Sequence, residues 1–279
     1  MERPPNIDLP FFAYGLFRPG QLAFFQLREF VSNVTDPTQV AGRLRLRDGL
    51  PAIYPTRNDE LVKGALVTFL PGQAAAAYDR ISALEPDKYY RWDEAQVDGK
   101  PVNVLVGQPP EKGSKSYEEA NWNGWTDPLF TAALDVVEET LNSQEFDWNL
   151  KPLFRLQMAY LLLWSAIERY VSLRYHLGDS VIGKVAQLAH ESAFAQGLQR
   201  HVKSRREVYR ADRPREKEVL DPGSPKKAVL YYYQVRSNIT HRGKGAVQDY
   251  ELLEKSLNEL LPIFRDVLKA AEIDAGFSS

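Results

Sequence analysis

Cysteine is absent from the 279 residues, and the chain carries only two methionines and four histidines. Without cysteine there is no disulfide, no thiolate nucleophile and no sulfur-ligated zinc or iron–sulfur site. Any catalysis therefore falls to carboxylates, hydroxyls, amines or imidazole. Long apolar runs are also missing. The stretch AYLLLWSAI at 159–167 falls well short of the roughly 20 residues that span a bilayer, and no basic segment followed by an apolar one opens the chain. A cytoplasmic protein without a membrane partner is expected. There is no HExxH pattern and no His/Asp pair at ligand spacing, so neither a metal nor another cofactor is expected.

What is present suffices for real cores. Hydrophobic residues make up 44% of a chain long enough for two compact domains or one large one. The net charge of −2 hides an asymmetry: residues 1–150 hold 14 Lys/Arg against 22 Asp/Glu, whereas 151–279 hold 21 against 15. Within the basic half, residues 200–227 carry ten Lys/Arg and five Asp/Glu. That insert is read either as a solvated loop or as an electrostatic guide for a polyanion.

The periodicities separate the halves. FFAYGLF (11–17), VAGRLRLR (40–47) and VKGALVTFL (62–70) predict strands, the second through its Arg/Leu alternation. QLAFFQLREFV (21–31) and QAAAAYDRISALE (73–85) have helical spacing, and YYRWDEAQVDGKPVNVLVG (89–107) reads as a hairpin turning at Asp98-Gly99. A further helix is expected at 127–141, with Pro128 in its first turn. Beyond it, 153–174 presents Leu156, Tyr160, Leu163, Trp164, Ile167 and Val171 at three- and four-residue intervals, and 180–201, 225–240 and 247–272 are also helical, the last kinked at Pro262. Residues 204–224 are too charged and too punctuated by Pro and Gly for a core helix. The expected class is α+β: a mixed β-barrel or sheet with helices over 8–148, then an all-α bundle over 152–275, with the boundary in FDWNLKP.

Three ordered motifs in the first half, FFAYGLFRPG, GRLRLRDGLPAIYP and ALEPDKYYRWDEAQV, resemble the gamma-glutamylcyclotransferase-like fold. The resemblance implies that Tyr14, Gly15, Leu16 and Phe17 form a loop whose backbone N–H groups hold a γ-glutamyl carboxylate, with Tyr89 beside it. It also implies that Glu85 is the general acid/base. Leu16 stands where the family has Ser or Thr. On residue pattern alone, Glu85 reads as a solvated acid at a helix end.

In the second half, YYYQVRSNITHRGKG (231–245) places His241 five residues after Arg236. On a regular helix that step leaves two side chains roughly 140° apart. They converge only if the helix ends or tightens between them, for which Ser237, Asn238, Thr240 and Gly243 supply reasons. An imidazole and a guanidinium together suit phosphodiester chemistry without a metal. The segment resembles the HEPN family (higher eukaryotes and prokaryotes nucleotide-binding domains) in its Rx4H form. LLLWSAIERYV (161–171) resembles that family's early helix with its embedded acid, here Glu168. This resemblance implies catalytic Arg236 and His241, supporting Ser237 and Asn238, RNA as partner, and a homodimer through the helical domain. A structural ion pair between Glu168 and Arg236 is the other reading.

Together these lead to a metal-independent endoribonuclease, a stress, toxin or phage-defence effector, with the first domain sensing or processing a small molecule. One alternative is a γ-glutamyl amide cyclotransferase using Glu85, with a helical dimerisation module. Another is a non-catalytic ligand-binding protein.

Overall fold

The computed structural model describes residues 1–56, 60–109, 113–143, 150–176, 181–211, 213–242 and 246–276. It is α+β and divides into two compact units, Met1–Asp127 with Glu272–Ser279, and Pro128–Ala271. The division falls after Asp127, ahead of the helix expected at 127–141. Part of the expected boundary segment, residues 144–149, lies outside the described residues. No described helix is long and apolar enough to cross a membrane.

The first unit is built on a curled mixed sheet. β1 (Phe11–Ala13) pairs antiparallel with β5 (Leu61–Phe69) and parallel with β7 (Lys100–Gly107). β5 also pairs with β2 (Val31–Ala41), and β4 (Leu50–Tyr54) joins β7 to β3 (Arg43–Arg47) and the short β8 (Lys115–Ser116). β6 (Tyr90–Val97) and β7 form the expected hairpin, and Asp98 and Gly99 both take positive φ, 50° and 75°, as a primed two-residue turn requires. Residues 21–31 differ from expectation: they form two 3-10 turns, Phe24–Gln26 and Arg28–Phe30. Leu22, Ala23, Phe24 and Leu27 are all buried there. A single α-helical stripe cannot turn adjacent residues 22, 23 and 24 inward together, whereas short tight turns can.

Helix α1 (Ala74–Leu84) packs on this sheet through Tyr78, Ile81 and Ser82, all buried. Its alanine-rich start favours the helix, and the buried positions 78, 81 and 82 define one face. Tyr78 is the anchor, lying edge-to-face against Phe11, Phe69 and Trp92. Its hydroxyl donates to the carbonyl of Leu9 at 2.6 Å and accepts from buried Asn103 of β7 at 2.9 Å.

The second unit is helical. α2 (Ala132–Asn142) begins four residues after Pro128, and α3 (Lys151–Tyr175) buries Leu156, Tyr160, Leu163, Trp164, Ile167 and Val171, as the periodicity predicts. The expected helix 180–201 is two, α4 (Val181–Leu188) and α5 (Ser192–His201), with Glu191 between them. Glu191 is held by the hydroxyls of Tyr170 and Tyr175 and by Arg174 at 2.7, 2.6 and 3.1 Å, which fixes the turn that separates the two helices. The charged insert contains an antiparallel pair, β9 (Arg206–Tyr209) and β10 (Lys217–Leu220). Val208 and Leu220 turn inward from it while Glu207 and Lys217 stay at the surface. α6 (Pro225–Arg242) and α7 (Ala246–Ala275) complete the set, α7 continuing through Pro262. Tyr160 donates to the backbone of Tyr232 at 2.9 Å, tying α3 to α6.

Candidate active site

Glu85 continues the buried face of α1, seven residues beyond Tyr78, and occupies the helix C-cap with its N–H bonded to Ile81. Pro86 ends the helix there, because proline disfavours the α conformation in the residue before it. Glu85 is therefore not the solvated acid that its place at a helix end suggests: it is 8% exposed. Burial alone pushes its carboxyl from the ordinary 4.5 up to about 8. Among the described residues no group donates a hydrogen bond to that carboxyl.

The carboxyl lines a pocket with Tyr14, Gly15, Leu16 and Phe17 from the loop after β1, so the structure brings these four expected residues together with Glu85. Leu50, Pro51, Tyr90, Phe11 and Ala13 complete the lining. The free space is about 20 Å³, room for about one water molecule. The loop is tightly folded, with Arg18 N–H donating to Gly15 O and Ala23 N–H to Leu16 O, both at 3.0 Å. The N–H groups of Gly15 and Leu16 have no acceptor among the described residues. Gly15 is needed for close approach, but to the wall: a Cβ there would sit 3.0 Å from Pro51 Cγ.

Both tyrosines of the pocket are satisfied by backbone. Tyr14 donates to Leu105 O at 2.7 Å and accepts from Ile53 N–H at 3.3 Å, while Tyr90 donates to Pro51 O at 3.0 Å. Burial holds both phenols well above their usual range, with Glu85 adding in the same sense. They shape the wall and stay neutral. Tyr89, expected as a ligand contact, is absent from the lining, and Tyr90 takes that place. The alternation of β6 explains the exchange: Tyr90 opens the strand with its ring inward, and Tyr89 precedes it in the turn. Gln108 fixes that turn, its side-chain amide donating to Asp87 O and Tyr90 O at 3.1 and 3.3 Å and its N–H to Tyr89 O at 2.8 Å.

In the helical unit, Arg236 faces Glu168 across α3 and α6 at 3.7 Å, the two side chains 29% and 26% exposed, and lies over the ring of Tyr233. The pairing of these residues is thus present. The expected helix end between Arg236 and His241 is not: α6 is continuous from Pro225 through Arg242. Positions 236 and 241 therefore keep the roughly 140° separation of a regular helix, and nothing in the backbone of one chain turns them to a common face. The side chain of His241, like residues 243–245, lies outside the described residues. Asn238 acts on the hairpin: its amide accepts from Ala211 N–H at 3.0 Å and from Gln234 at 2.8 Å, and donates to Tyr209 O at 2.8 Å. Ser237 is half-buried, its carbonyl accepting from Thr240 at 3.0 Å.

Comparison with known proteins places little beside this chain. No protein-family model matches it, and no curated protein matches it. Among solved structures, an uncharacterized protein from Pyrococcus horikoshii aligns with 40% of this chain and 88% of its own, at 15% identity and a TM-score of 0.34.

Proposed function

We propose that the first unit is a γ-glutamyl amide cyclotransferase with Glu85 as its acid and base. One observation carries this reading: a buried carboxyl without a hydrogen-bond donor lines the same pocket as the Tyr14–Phe17 loop that the sequence motif picks out. A carboxyl left unpaired in an apolar wall is suited to a ligand that brings its own N–H groups.

In the reaction, ionised Glu85 removes a proton from the substrate's α-ammonium group. The freed amine attacks the side-chain amide carbon, forming the ring C–N bond. Glu85 then hands its proton to the departing nitrogen as the original amide C–N bond breaks, and the attacking nitrogen's surplus proton leaves with that amine, released as an ammonium ion. The products are a five-membered lactam, 5-oxoproline, and the free amine. The N–H groups of Gly15 and Leu16, which have no acceptor among the described residues, are backbone donors open to a substrate oxygen. Because the base must be ionised, kcat/KM rises with pH and levels off above about 8, the pKa that burial gives Glu85.

The test is release of 5-oxoproline from a panel of γ-glutamyl compounds by the purified full chain. Glu85→Gln lowers the rate by at least about a hundredfold, the scale of a lost acid/base. A rate that survives this substitution removes Glu85 from the chemistry.

A second reading concerns the helical unit and rests on the part-buried pairing of Glu168 with Arg236, the arginine of the Rx4H motif. In it the unit cuts RNA without a metal, with Arg236 gripping phosphate and His241 moving the proton; two copies supply the convergence that one continuous helix lacks. RNA cleavage in chelator, abolished by Arg236→Ala and by His241→Ala but not by Glu85→Gln, is its signature. Equal cleavage by the His241→Ala protein eliminates it.

A further inference from the structure

Arg18 follows the Tyr14–Phe17 loop directly, yet it is absent from the pocket lining. Its guanidinium is engaged elsewhere: Nε and Nη2 donate to the two carboxylate oxygens of Asp36 on β2 at 3.2 and 2.7 Å, and Nη1 donates to the side-chain oxygen of Asn121. The side chain is 13% exposed. Asn121 is itself fixed, between Ala120, whose carbonyl accepts from the N–H of Lys63 on β5 at 2.8 Å, and the buried Trp122. A planar fork held at three points leaves the main chain of Arg18 little freedom.

That main chain in turn sets the loop. The N–H of Arg18 donates to Gly15 O at 3.0 Å. Gly15 C=O and Leu16 N–H belong to one planar trans peptide and point in opposite directions, so the bond that fixes the carbonyl also aims the N–H. Leu16 lines the pocket, and its N–H has no acceptor among the described residues. A chain of hydrogen bonds therefore runs from Asp36 and Asn121 through Arg18 to a free donor of a pocket residue. Such a donor is most effective when its support holds it within about 0.5 Å of its working position.

We infer that Arg18 is a positioning residue, aiming the Leu16 N–H at a carboxylate oxygen of the substrate, and that Asp36 and Asn121 hold that aim. Arg18 touches neither the substrate nor the reacting atoms. The inference rests on the reading of Glu85 given above. A carboxylate held by the loop keeps its charge throughout the cyclisation, so a loosened donor weakens substrate and transition state alike, and the loss falls on KM.

The experiment follows 5-oxoproline release by the full chain from the γ-glutamyl compound it turns over fastest. Arg18→Ala raises KM by about tenfold, the scale of one weakened hydrogen bond to a charged group, while the pH at which kcat/KM levels off stays near 8. Asn121→Leu raises KM by about threefold, and Asn121→Asp, which keeps the acceptor, holds KM near the native value. Amide relaxation by NMR gives a readout that needs no turnover: the order parameter of the Leu16 N–H falls from about 0.85 towards about 0.6 in the Arg18→Ala protein. A merely structural arginine lowers the melting temperature and leaves KM and that order parameter where they were. This outcome, read on the Asn121 variants should Arg18→Ala fail to fold, overturns the inference and leaves the Glu85 chemistry standing. No 5-oxoproline from the native protein overturns both, a result plainly different from turnover with an unmoved KM.

Discussion

Arg206, on the outer hairpin of the helical unit, is paired through both guanidinium nitrogens with the carboxylate of Glu259 on α7, one contact being 2.7 Å. The side chains are 15% and 8% exposed, Tyr232 donates to the same carboxylate at 3.0 Å, and Arg206 also meets the ring and hydroxyl of Tyr231. Removing the cation strands a carboxylate among apolar helices. Arg206→Ala is expected to destabilise the helical unit by about 3 kcal/mol, the scale of a broken buried pair. Urea unfolding read from the buried Trp164 measures this. A loss below half that value means water reaches Glu259.

Glu85 gives stability a pH dependence of its own. The unfolded chain releases this proton near 4.5 and the folded protein only near 8. Between those values the folded state holds one more proton. Stability therefore falls as pH rises, by up to about 1.4 kcal/mol per unit, and levels off above pH 8. Glu85→Gln removes that slope. The melting temperatures of native and substituted protein should be close at pH 4.5 and diverge progressively towards pH 8, the variant being the more stable. Parallel curves across that interval would place the carboxyl in water.

Gly64 of β5 allows the sheet to close behind the pocket loop. A Cβ there would lie 2.5 Å from the carbonyl oxygen of Ala13 and 2.6 Å from the ring of Phe12. The carbonyl belongs to backbone and cannot swing aside. Gly64→Ala should cost about 2–3 kcal/mol through overpacking and displace β1 with the loop it carries. Gly72→Ala, where a Cβ meets nothing but φ is +77°, should cost nearer 1 kcal/mol. Thermal melts of the two variants give the comparison.

Asn238 separates a structural from a catalytic role in the helical unit. If its amide serves the hairpin, Asn238→Ala frees the Ala211 N–H and Tyr209 carbonyl and costs about 1–2 kcal/mol. Hydrogen exchange at Ala211 then accelerates. Loss of RNA cleavage with unchanged exchange would instead make Asn238 part of a site.

The legible parts of the fold were those where local chemistry and burial agree. Asp98-Gly99 turns because those residues tolerate positive φ, and the α3 periodicity is a periodicity of burial. Glu85 was marked by its motif, but its burial was not: it follows from Tyr78, Ile81 and Ser82 setting a face that the cap residue inherits. The β9–β10 hairpin was hidden because three of every four residues in it are half or fully exposed and mostly charged. Arg206 belongs to that same charged run, and what distinguishes it is Glu259, 53 positions away. The choice between Tyr89 and Tyr90 depended on where β6 begins, which adjacent identical residues cannot signal.

The first unit comprises Met1–Asp127 together with Glu272–Ser279, and there Gly20 N–H donates to Ala275 O at 2.9 Å and Arg28 pairs with Asp274 at 3.2 Å. Those residues follow the whole helical unit in the chain. The loop that leads from the pocket into the 3-10 turns thus acquires its final hydrogen bonds only after the helical unit has been synthesised, so a nascent chain that stops short of Glu272 holds an unfinished site.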